Sequence, residues 1–148
     1  MKKGLLTLAL TVGVLVSGLA QDVIFAESSV QEGFSGIHVV KAEDGSVSAK
    51  YSFTNGVPNG PVTFFNAGGE KTEVGSFEKG KKNGTWEKFH NGERVSIANY
   101  TKGKKDGEWK IYDTTGTLRY EMYYKKGKKV GTWKMFDESG KLSSEKKF

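Results

Sequence analysis

The sequence has no cysteine among its 148 residues, only two prolines and only two histidines. Without cysteine, the chain cannot form disulfide bonds, thiolate zinc sites, a cysteine nucleophile or a lipid-modified N-terminal cysteine. Hydrophobic residues are also scarce, at 36% with a mean hydropathy of −0.52, so we do not expect a large globular core. In contrast, twenty glycines and 12% aromatic residues predict many turns and a few large packing groups.

Residues 1–20 have the pattern of a signal peptide. A basic pair precedes the apolar stretch 5–16, which is short for a membrane span, and small residues follow up to Ala20. We therefore expect export to the periplasm, the cell envelope or the medium, with cleavage after Ala20. Cleavage after Ala26 and retention as an N-terminal anchor are the alternatives. Residues 21–35 lack any periodicity and are predicted to be a flexible leader.

A repeat of about 24 residues organises residues 36–148. The same motif begins at Gly84, Gly107 and Gly131. It consists of glycine, any residue and tryptophan, followed by an aromatic residue, a turn glycine and a closing aromatic residue. Weaker copies give five units, which start at residues 36, 60, 84, 107 and 131. The residues expected to form the repeat core are Trp86, Phe89, Tyr100, Trp109, Tyr112, Tyr124, Trp133 and Phe136.

Each unit is predicted to be a β-hairpin. Apolar and polar residues alternate from Leu118 to Tyr124, which is the period of a half-buried strand. Trp109 and Tyr112 are three residues apart, so either a bulge interrupts the strand or the sheet carries aromatic residues on both faces. The predicted fold class is all-β: tandem β-hairpin repeats that form an elongated antiparallel meander sheet, each unit packing on the next.

Basic charge is concentrated towards the C-terminus, since residues 102–148 carry a net charge of +6 and residues 21–101 a net charge of −2. A lysine pair follows each inter-unit turn glycine, and stacked hairpins would place these pairs in a row. Such a row indicates binding to an anionic polymer or surface. Alternatively, the lysines protect exposed turns and edges from aggregation. The candidate residues are Lys81, Lys82, Lys104, Lys105, Lys128 and Lys129.

The tryptophans also allow two interpretations. They form the core that stacks the units, or they form an exposed platform for carbohydrate or peptide. No catalytic or metal-binding motif accompanies them, because His38 and His90 both lie at repeat positions. The acids expected to lie in turns at repeat positions, rather than as a converging pair, are Asp106, Asp113, Asp137 and Glu138. We therefore expect no enzyme activity, no cofactor and no metal.

The repeat word from Gly107 to Gly131 resembles the MORN-repeat variant of bacterial proteins labelled YwqK-family antitoxins, and the resemblance covers residues 36–148. It implies a scaffold that contacts protein or lipid, and an antitoxin-like or immunity-like activity. The predicted function is thus a non-catalytic, exported protein-interaction module whose partner is another protein. The alternative is a cell-envelope scaffold that binds anionic lipid or glycan through its lysine-rich edge. Nucleic acid is not an expected partner of an exported protein.

Overall fold

The computed structural model describes residues 30–148, so the predicted signal peptide, residues 1–20, lies outside the described residues. Within that part the regular elements are ten β-strands, and no helix there is long and apolar enough to cross a membrane. The all-β prediction is confirmed. The strands are β1 (Gly36–Lys41), β2 (Val47–Thr54), β3 (Val57–Phe65), β4 (Lys71–Glu78), β5 (Lys81–His90), β6 (Glu93–Thr101), β7 (Lys104–Tyr112), β8 (Leu118–Lys125), β9 (Lys128–Phe136) and β10 (Leu142–Lys147).

The ten strands form a single sheet in chain order, from β1 to β10. Every neighbouring pair is antiparallel, as tight turns between consecutive strands require. Each sequence unit contributes two strands, so the predicted meander of tandem hairpins is confirmed.

Three of the four turns between units are two-residue Lys-Gly turns, and the first is Asn55-Gly56. In one of them Lys102 and Gly103 have φ angles of 49° and 82°, both in the left-handed region that a type I′ hairpin turn requires. The sequence predicted that the lysine pairs lie together in one row beside these turns, but each pair opens the following strand: Lys104 is the first residue of β7. Because successive strand residues point to opposite faces, the two lysines of each pair separate.

A bulge explains the glycine of the glycine-x-tryptophan word. In the pairing of β4 with β5, Asn83 lies opposite Ser76 and Glu87 lies opposite Val74, so β5 carries two extra residues. Gly84 falls within this bulge and has a φ of 75°, which a side chain would strain.

The sheet also carries aromatic residues on both faces. Phe89, three residues after Trp86, lines a groove together with Val74 and Glu87. Val74 and Glu87 are a cross-strand pair, and Glu87 alternates with Trp86, so this groove lies on the face opposite the tryptophan. In β5 the three-residue spacing therefore reflects aromatic residues on both faces, because the extra residues of the bulge precede Glu87.

The buried core lies in the N-terminal half of the sheet. Its apolar members are Ala49, Tyr51, Phe53, Val62, Phe77, Trp86 and Ala98. Beyond Ala98, none of the described residues is buried. The C-terminal repeats are thus a single layer whose aromatic face is not covered by other described residues.

The contacts of the first unit begin at Phe34, two residues before its predicted start. The Gly56 amide donates to the Phe34 carbonyl over 2.7 Å, as the Gly103 amide does to the Lys82 carbonyl over 2.8 Å. The Phe34 ring packs edge-on against His38 and Phe53, with centroids 6.4 and 6.2 Å away. In the first unit Phe34 therefore takes the position that Lys82 has in the third unit, and His38 takes the position of Trp86.

Gly75→Ala is expected to lower the free energy of unfolding by about 1–3 kcal/mol, because the added methyl group would overlap the Trp86 indole, which lies against the Gly75 backbone. Urea unfolding followed by circular dichroism measures the change. Gly68→Ala is the matched control: Gly68 also lacks a positive φ, and its added carbon meets only the Asn66 side chain, at 3.3 Å. Equal effects of the two substitutions would contradict the prediction.

Candidate functional site

Three lysines lie over the tryptophans of the repeats. The Lys82 Nζ is 3.5 Å from the Trp86 ring centroid and 5.4 Å from that of Tyr100. The next repeat has the same arrangement, with the Lys105 Nζ at 4.2 Å from Trp109. In full, each lysine sits between a tryptophan and a closing aromatic residue: Lys82 with Trp86 and Tyr100, Lys105 with Trp109 and Tyr124, and Lys129 with Trp133 and Phe148. We call these three the inner lysines.

The cation and the ring faces attract one another, and the lysine stem covers apolar ring surface. The rings themselves form a continuous row, since successive centroids from Trp86 to Phe148 are 4.7–6.3 Å apart. The inner lysines are therefore part of the packing that joins one unit to the next, and their ammonium groups lie on the same face as the tryptophans.

Each tryptophan is fixed by a hydrogen bond to the preceding strand. The Trp109 Nε1 donates to the Asn99 carbonyl over 3.1 Å, and the Trp133 Nε1 donates to the Tyr123 carbonyl over 3.0 Å. Trp86 makes the equivalent bond to Ser76 over 3.2 Å. The indole orientation is thus set by the backbone, so these rings present a preorganised surface.

The other lysine of each pair points away from the tryptophans. These outer lysines are Lys81, Lys104 and Lys128. All three are exposed, and they lie beside the inter-unit turns, where Lys79, Lys102 and Lys126 add further exposed cations. The lysine row of the sequence analysis is therefore two surfaces: inner lysines on the aromatic face and outer lysines along the turns.

Exposure of the aromatic face increases along the chain. Trp86 is 2% exposed, whereas Trp109 and Trp133 are both partly exposed. Beside them lies a cross-strand row on β7, β8 and β9, in which Tyr120 is directly opposite both Ile111 and Met135. These three side chains are exposed by 39%, 42% and 37% in chain order. The open aromatic face is defined as Lys105, Trp109, Ile111, Tyr120, Tyr124, Lys129, Trp133 and Met135.

Charges are sorted between the two faces of the C-terminal strands. On the polar face, Glu121 lies opposite Lys110 and Lys134, and Glu145 is also opposite Lys134, so the signs alternate across β7 to β10. The Lys134 Nζ is 3.3 Å from the Glu121 carboxylate. The other two carboxylates of these strands are also engaged away from the aromatic face, Asp106 with Lys125 and Glu108 with Lys110. None of the ion pairs within residues 30–148 involves Lys105 or Lys129, whose ammonium groups lie on the aromatic face.

Glu73 is the acid that the aromatic face does contain, at its N-terminal end. It is buried, and its carboxylate is 3.1 Å from the Lys82 Nζ and 3.9 Å from the Lys88 Nζ. Burial lowers the pKa of Lys82, and Glu73 opposes this shift. Burial likewise raises the pKa of the Tyr100 hydroxyl, with a further contribution from Glu73.

Two grooves lie among these side chains. The larger, about 560 Å³, lies over Ala98 and Ser96 of β6, with Trp86 and Trp109 as walls and Lys105 at its rim. A smaller groove of about 310 Å³ lies beside Trp133 and Met135, with Lys129 at its rim. Both grooves have aromatic and aliphatic lining, and in each the lining contains three lysines and one acid, which is Glu73 in the larger groove and Glu145 in the smaller. This composition suits a ligand that has both apolar and anionic groups.

The eight predicted core residues fall into separate environments. Trp86 belongs to the buried core, and Tyr100 and Trp109 pack against it. Tyr124 and Trp133 continue the aromatic row in the open half of the sheet. The remaining three, Phe89, Tyr112 and Phe136, are partly exposed at the ends of β5, β7 and β9.

The lysine-tryptophan contacts and the apolar row were not predicted from the sequence. A signal for the contacts is present, because each inner lysine stands four residues before its tryptophan: Lys82 and Trp86, Lys105 and Trp109, Lys129 and Trp133. The apolar row has no such signal in the sequence, because its three residues are seen to be neighbours only when the strand register is known. Within residues 30–148, no cluster of three or more histidine or acidic side chains is arranged to hold a metal ion.

Iodide quenching is expected to separate the three tryptophans. In variants that keep one tryptophan and carry phenylalanine at the other two positions, we expect Trp86 to emit at shorter wavelength and resist quenching, because its ring is 2% exposed. Trp109 and Trp133 should be quenched, and the nearby lysines should attract iodide. Circular dichroism of each variant controls for folding. Equal quenching of all three would contradict the burial gradient.

Comparison with protein families identifies the repeat. Residues 105–126 and 129–148 match the MORN repeat variant. The C-terminal repeats carry this motif. The aromatic face is open in the same segment.

No curated protein matches the chain. Among solved structures, one described as "Crystal structure of GtfA/B complex bound to UDP and GlcNAc" aligns with 78% of this chain at 14% identity and a TM-score of 0.31. The chain spans 23% of the length of that structure's chain.

Proposed function

We propose that this chain is a non-catalytic protein-interaction module of the MORN-variant type, which binds a partner protein on the open aromatic face of its C-terminal repeats. The observation that carries the proposal is the uncovered surface itself. Ile111, Tyr120 and Met135 form an exposed apolar row beside partly exposed tryptophans, and exposed apolar patches of this kind are typical of interaction sites. The indoles are held by backbone hydrogen bonds, so little ordering is needed on binding.

Site-specific photo-cross-linking in the producing cell tests this proposal. A photoreactive phenylalanine analogue at Tyr120, on the open aromatic face, is expected to capture one predominant protein. The same analogue at Tyr123 is the matched control, because Tyr123 lies opposite Glu108 on the polar face of the same strand. Capture of the same protein from both positions, or from Tyr123 alone, would show that the partner binds elsewhere.

The finer proposal is that the chain is exported and acts in an antitoxin-like or immunity-like manner. It is supported by the signal-peptide pattern of residues 1–20 and by the family resemblance. It predicts an exported protein whose N-terminus is Gln21. It also predicts that the cross-linked partner is a toxin whose activity is met outside the cytosol and is relieved by co-expression. N-terminal sequencing of the secreted or envelope fraction tests the first point, and a cytosolic full-length chain would contradict it.

A second candidate function, a scaffold that adheres to anionic lipid or glycan, is favoured by the outer lysines. Lys81, Lys104 and Lys128 are exposed beside the lysines of the turns, so they form a continuous cationic border. Binding to anionic vesicles should then fall steeply with salt. It should also be lost in the Lys104→Glu/Lys128→Glu variant and retained in an Ile111→Ser/Met135→Ser variant. The reverse pattern would reject this candidate.

A further inference from the structure

We propose that the open aromatic face receives one amphipathic α-helix of the partner protein, which lies across strands β6 to β10 with an acidic flank over Lys105 and Lys129. This inference rests on the proposed function and specifies the chemistry and shape of what binds. It is carried by the sorting of charge between the two faces and by the dimensions of the open face.

The lysines of the open face are not neutralised by ion pairs. None of the ion pairs of the described residues involves Lys105 or Lys129, whereas the polar face of the same strands balances its charges in the row Lys110, Glu121, Lys134 and Glu145. A basic partner would be repelled from this surface, and a purely apolar one would leave the cations without counter-charges. A partner with both carboxylates and apolar side chains complements it.

The arrangement of the two rows gives the partner's width. Lys105 is opposite Tyr100, and Ile111 is opposite Ser96, so the lysine row and the apolar row are four residues apart along β6. At the usual rise along a strand this is about 13 Å. An extended peptide that lies across the strands presents one row of side chains to the sheet, so it contacts only one of these two rows. A helix, about 10–12 Å across, covers this width with its apolar face on the row of Ile111 and its acidic flank near Lys105.

The spacing of residues along a helix also matches the spacing of the two lysines across the sheet. Lys105 and Lys129 lie two strands apart, which corresponds to about 10 Å. On a helix, residues i and i+7 share a face and are separated by about 10.5 Å. Four strand spacings from β6 to β10 span about 19 Å, which about 13 helical residues cover. The expected partner segment therefore has three to four turns, acids seven residues apart on one flank, and apolar residues at i, i+3 or i+4 beside them.

Selection from a phage-displayed library of random 16-residue peptides, with the full chain immobilised, tests this inference. We expect enrichment of peptides that combine acids at a seven-residue spacing with helical apolar periodicity. A synthetic copy of an enriched peptide should gain helical circular dichroism on binding and protect Trp109 and Trp133 from iodide. Its dissociation constant should rise by about tenfold or more in Lys105→Glu/Lys129→Glu.

Two comparisons keep the result interpretable. Lys104→Glu/Lys128→Glu changes net charge equally on the other side of the same strands and should leave peptide affinity within about twofold. Ile111→Ser/Met135→Ser changes only exposed side chains and should also abolish binding, which separates loss of the surface from misfolding. A charge-swapped peptide with lysines in place of its acids should regain affinity for Lys105→Glu/Lys129→Glu.

The inference is overturned if the enriched peptides lack acids or helical periodicity, if no peptide is enriched over the Ile111→Ser/Met135→Ser variant, or if the outer-lysine control loses binding equally. Binding of phosphatidylglycerol vesicles that depends on Lys105 and Lys129, without peptide enrichment, would instead assign the face to a membrane. If cross-linking from Tyr120 still captures a protein while the enriched peptides are neutral or extended, the helix is rejected and the proposed interaction function stands.

Discussion

Trp86→Ala is expected to lower the free energy of unfolding by about 3–5 kcal/mol, the usual cost of deleting a fully buried tryptophan. The ring is 2% exposed and contacts Phe77, Tyr100 and the Lys82 ammonium group. Its removal opens a cavity between two units and leaves Lys82 beside Glu73 without its aromatic neighbour. Urea denaturation followed by far-ultraviolet circular dichroism measures the shift in midpoint and in slope.

Trp133→Ala is the matched comparison. This ring makes the same backbone hydrogen bond and the same lysine contact as Trp86, but it is partly exposed, so less apolar surface returns to water. We therefore expect a clearly smaller loss for Trp133→Ala. Because the stability of repeat arrays is a sum over neighbouring interfaces, this variant should also loosen only the C-terminal strands, which hydrogen exchange would show. Equal losses for the two variants would mean that burial does not determine how much each tryptophan contributes to the free energy of unfolding.

The burial gradient behind this prediction could not be derived from the repeat alone. Trp86 lies against Gly75, Trp109 lies opposite Ala98, and Trp109 is also opposite Met122 on its other side. The residue beneath a tryptophan decides how closely the indole approaches the sheet, and that residue is identified only when the strand register is known. The sequence shows three equivalent tryptophans, while their neighbours make them unequal.

What the sequence did predict follows from strictly local signals. Two-residue alternation and turn glycines predict hairpins, and a regular spacing of about 24 residues predicts that each hairpin packs on the next, which is the order observed in the sheet. The separation of Lys104 from Lys105 was not predicted, because it depends on whether a turn ends at Gly103 or one residue later. A one-residue difference exchanges the two faces of a strand, and with them the assignment of every charge.

This separation also changes the functional question. As one cationic row, the lysines would indicate an anionic surface as the ligand. As two sets, the inner lysines belong with tryptophans and an apolar row, which indicates a protein partner, and the outer lysines remain available for solubility or adhesion. Substituting Lys104 or Lys105 separately is therefore the most economical way to distinguish these roles.

The buried acid of the aromatic face gives a pH-dependent result. Glu73→Gln is expected to cost about 2–3 kcal/mol at neutral pH, less than the usual cost of breaking a fully buried pair, because 15% of the Lys82 side chain remains in water. Loss of the carboxylate leaves a largely desolvated ammonium group whose pKa burial already lowers from 10.5. We expect the pKa of Lys82 to fall further in the variant.

The sign of the pH dependence follows from that direction. With the folded-state pKa below the unfolded value, the unfolded chain binds more protons between the two, so stability rises with pH in that interval. The penalty of Glu73→Gln should therefore be complete at neutral pH and shrink as pH approaches 10.5, the ordinary value for lysine. The raised pKa of Tyr100 lowers stability at high pH in both proteins, mainly through burial, so the comparison with the unsubstituted chain largely removes it.

Glu87→Gln is the control, because the ion pair between Glu87 and Arg94 is more exposed: 28% of the Glu87 side chain and 48% of the Arg94 side chain are accessible to solvent. Exposed pairs contribute about 0–1 kcal/mol, and no pH-dependent recovery is expected for this variant. Lys82→Met in the Glu73→Gln background should restore most of the lost stability and remove the recovery with pH, because no buried ammonium group remains. Urea midpoints at several pH values up to 10 measure both effects. A penalty for Glu73→Gln that is constant across this range would show that Lys82 reaches solvent when its partner is removed.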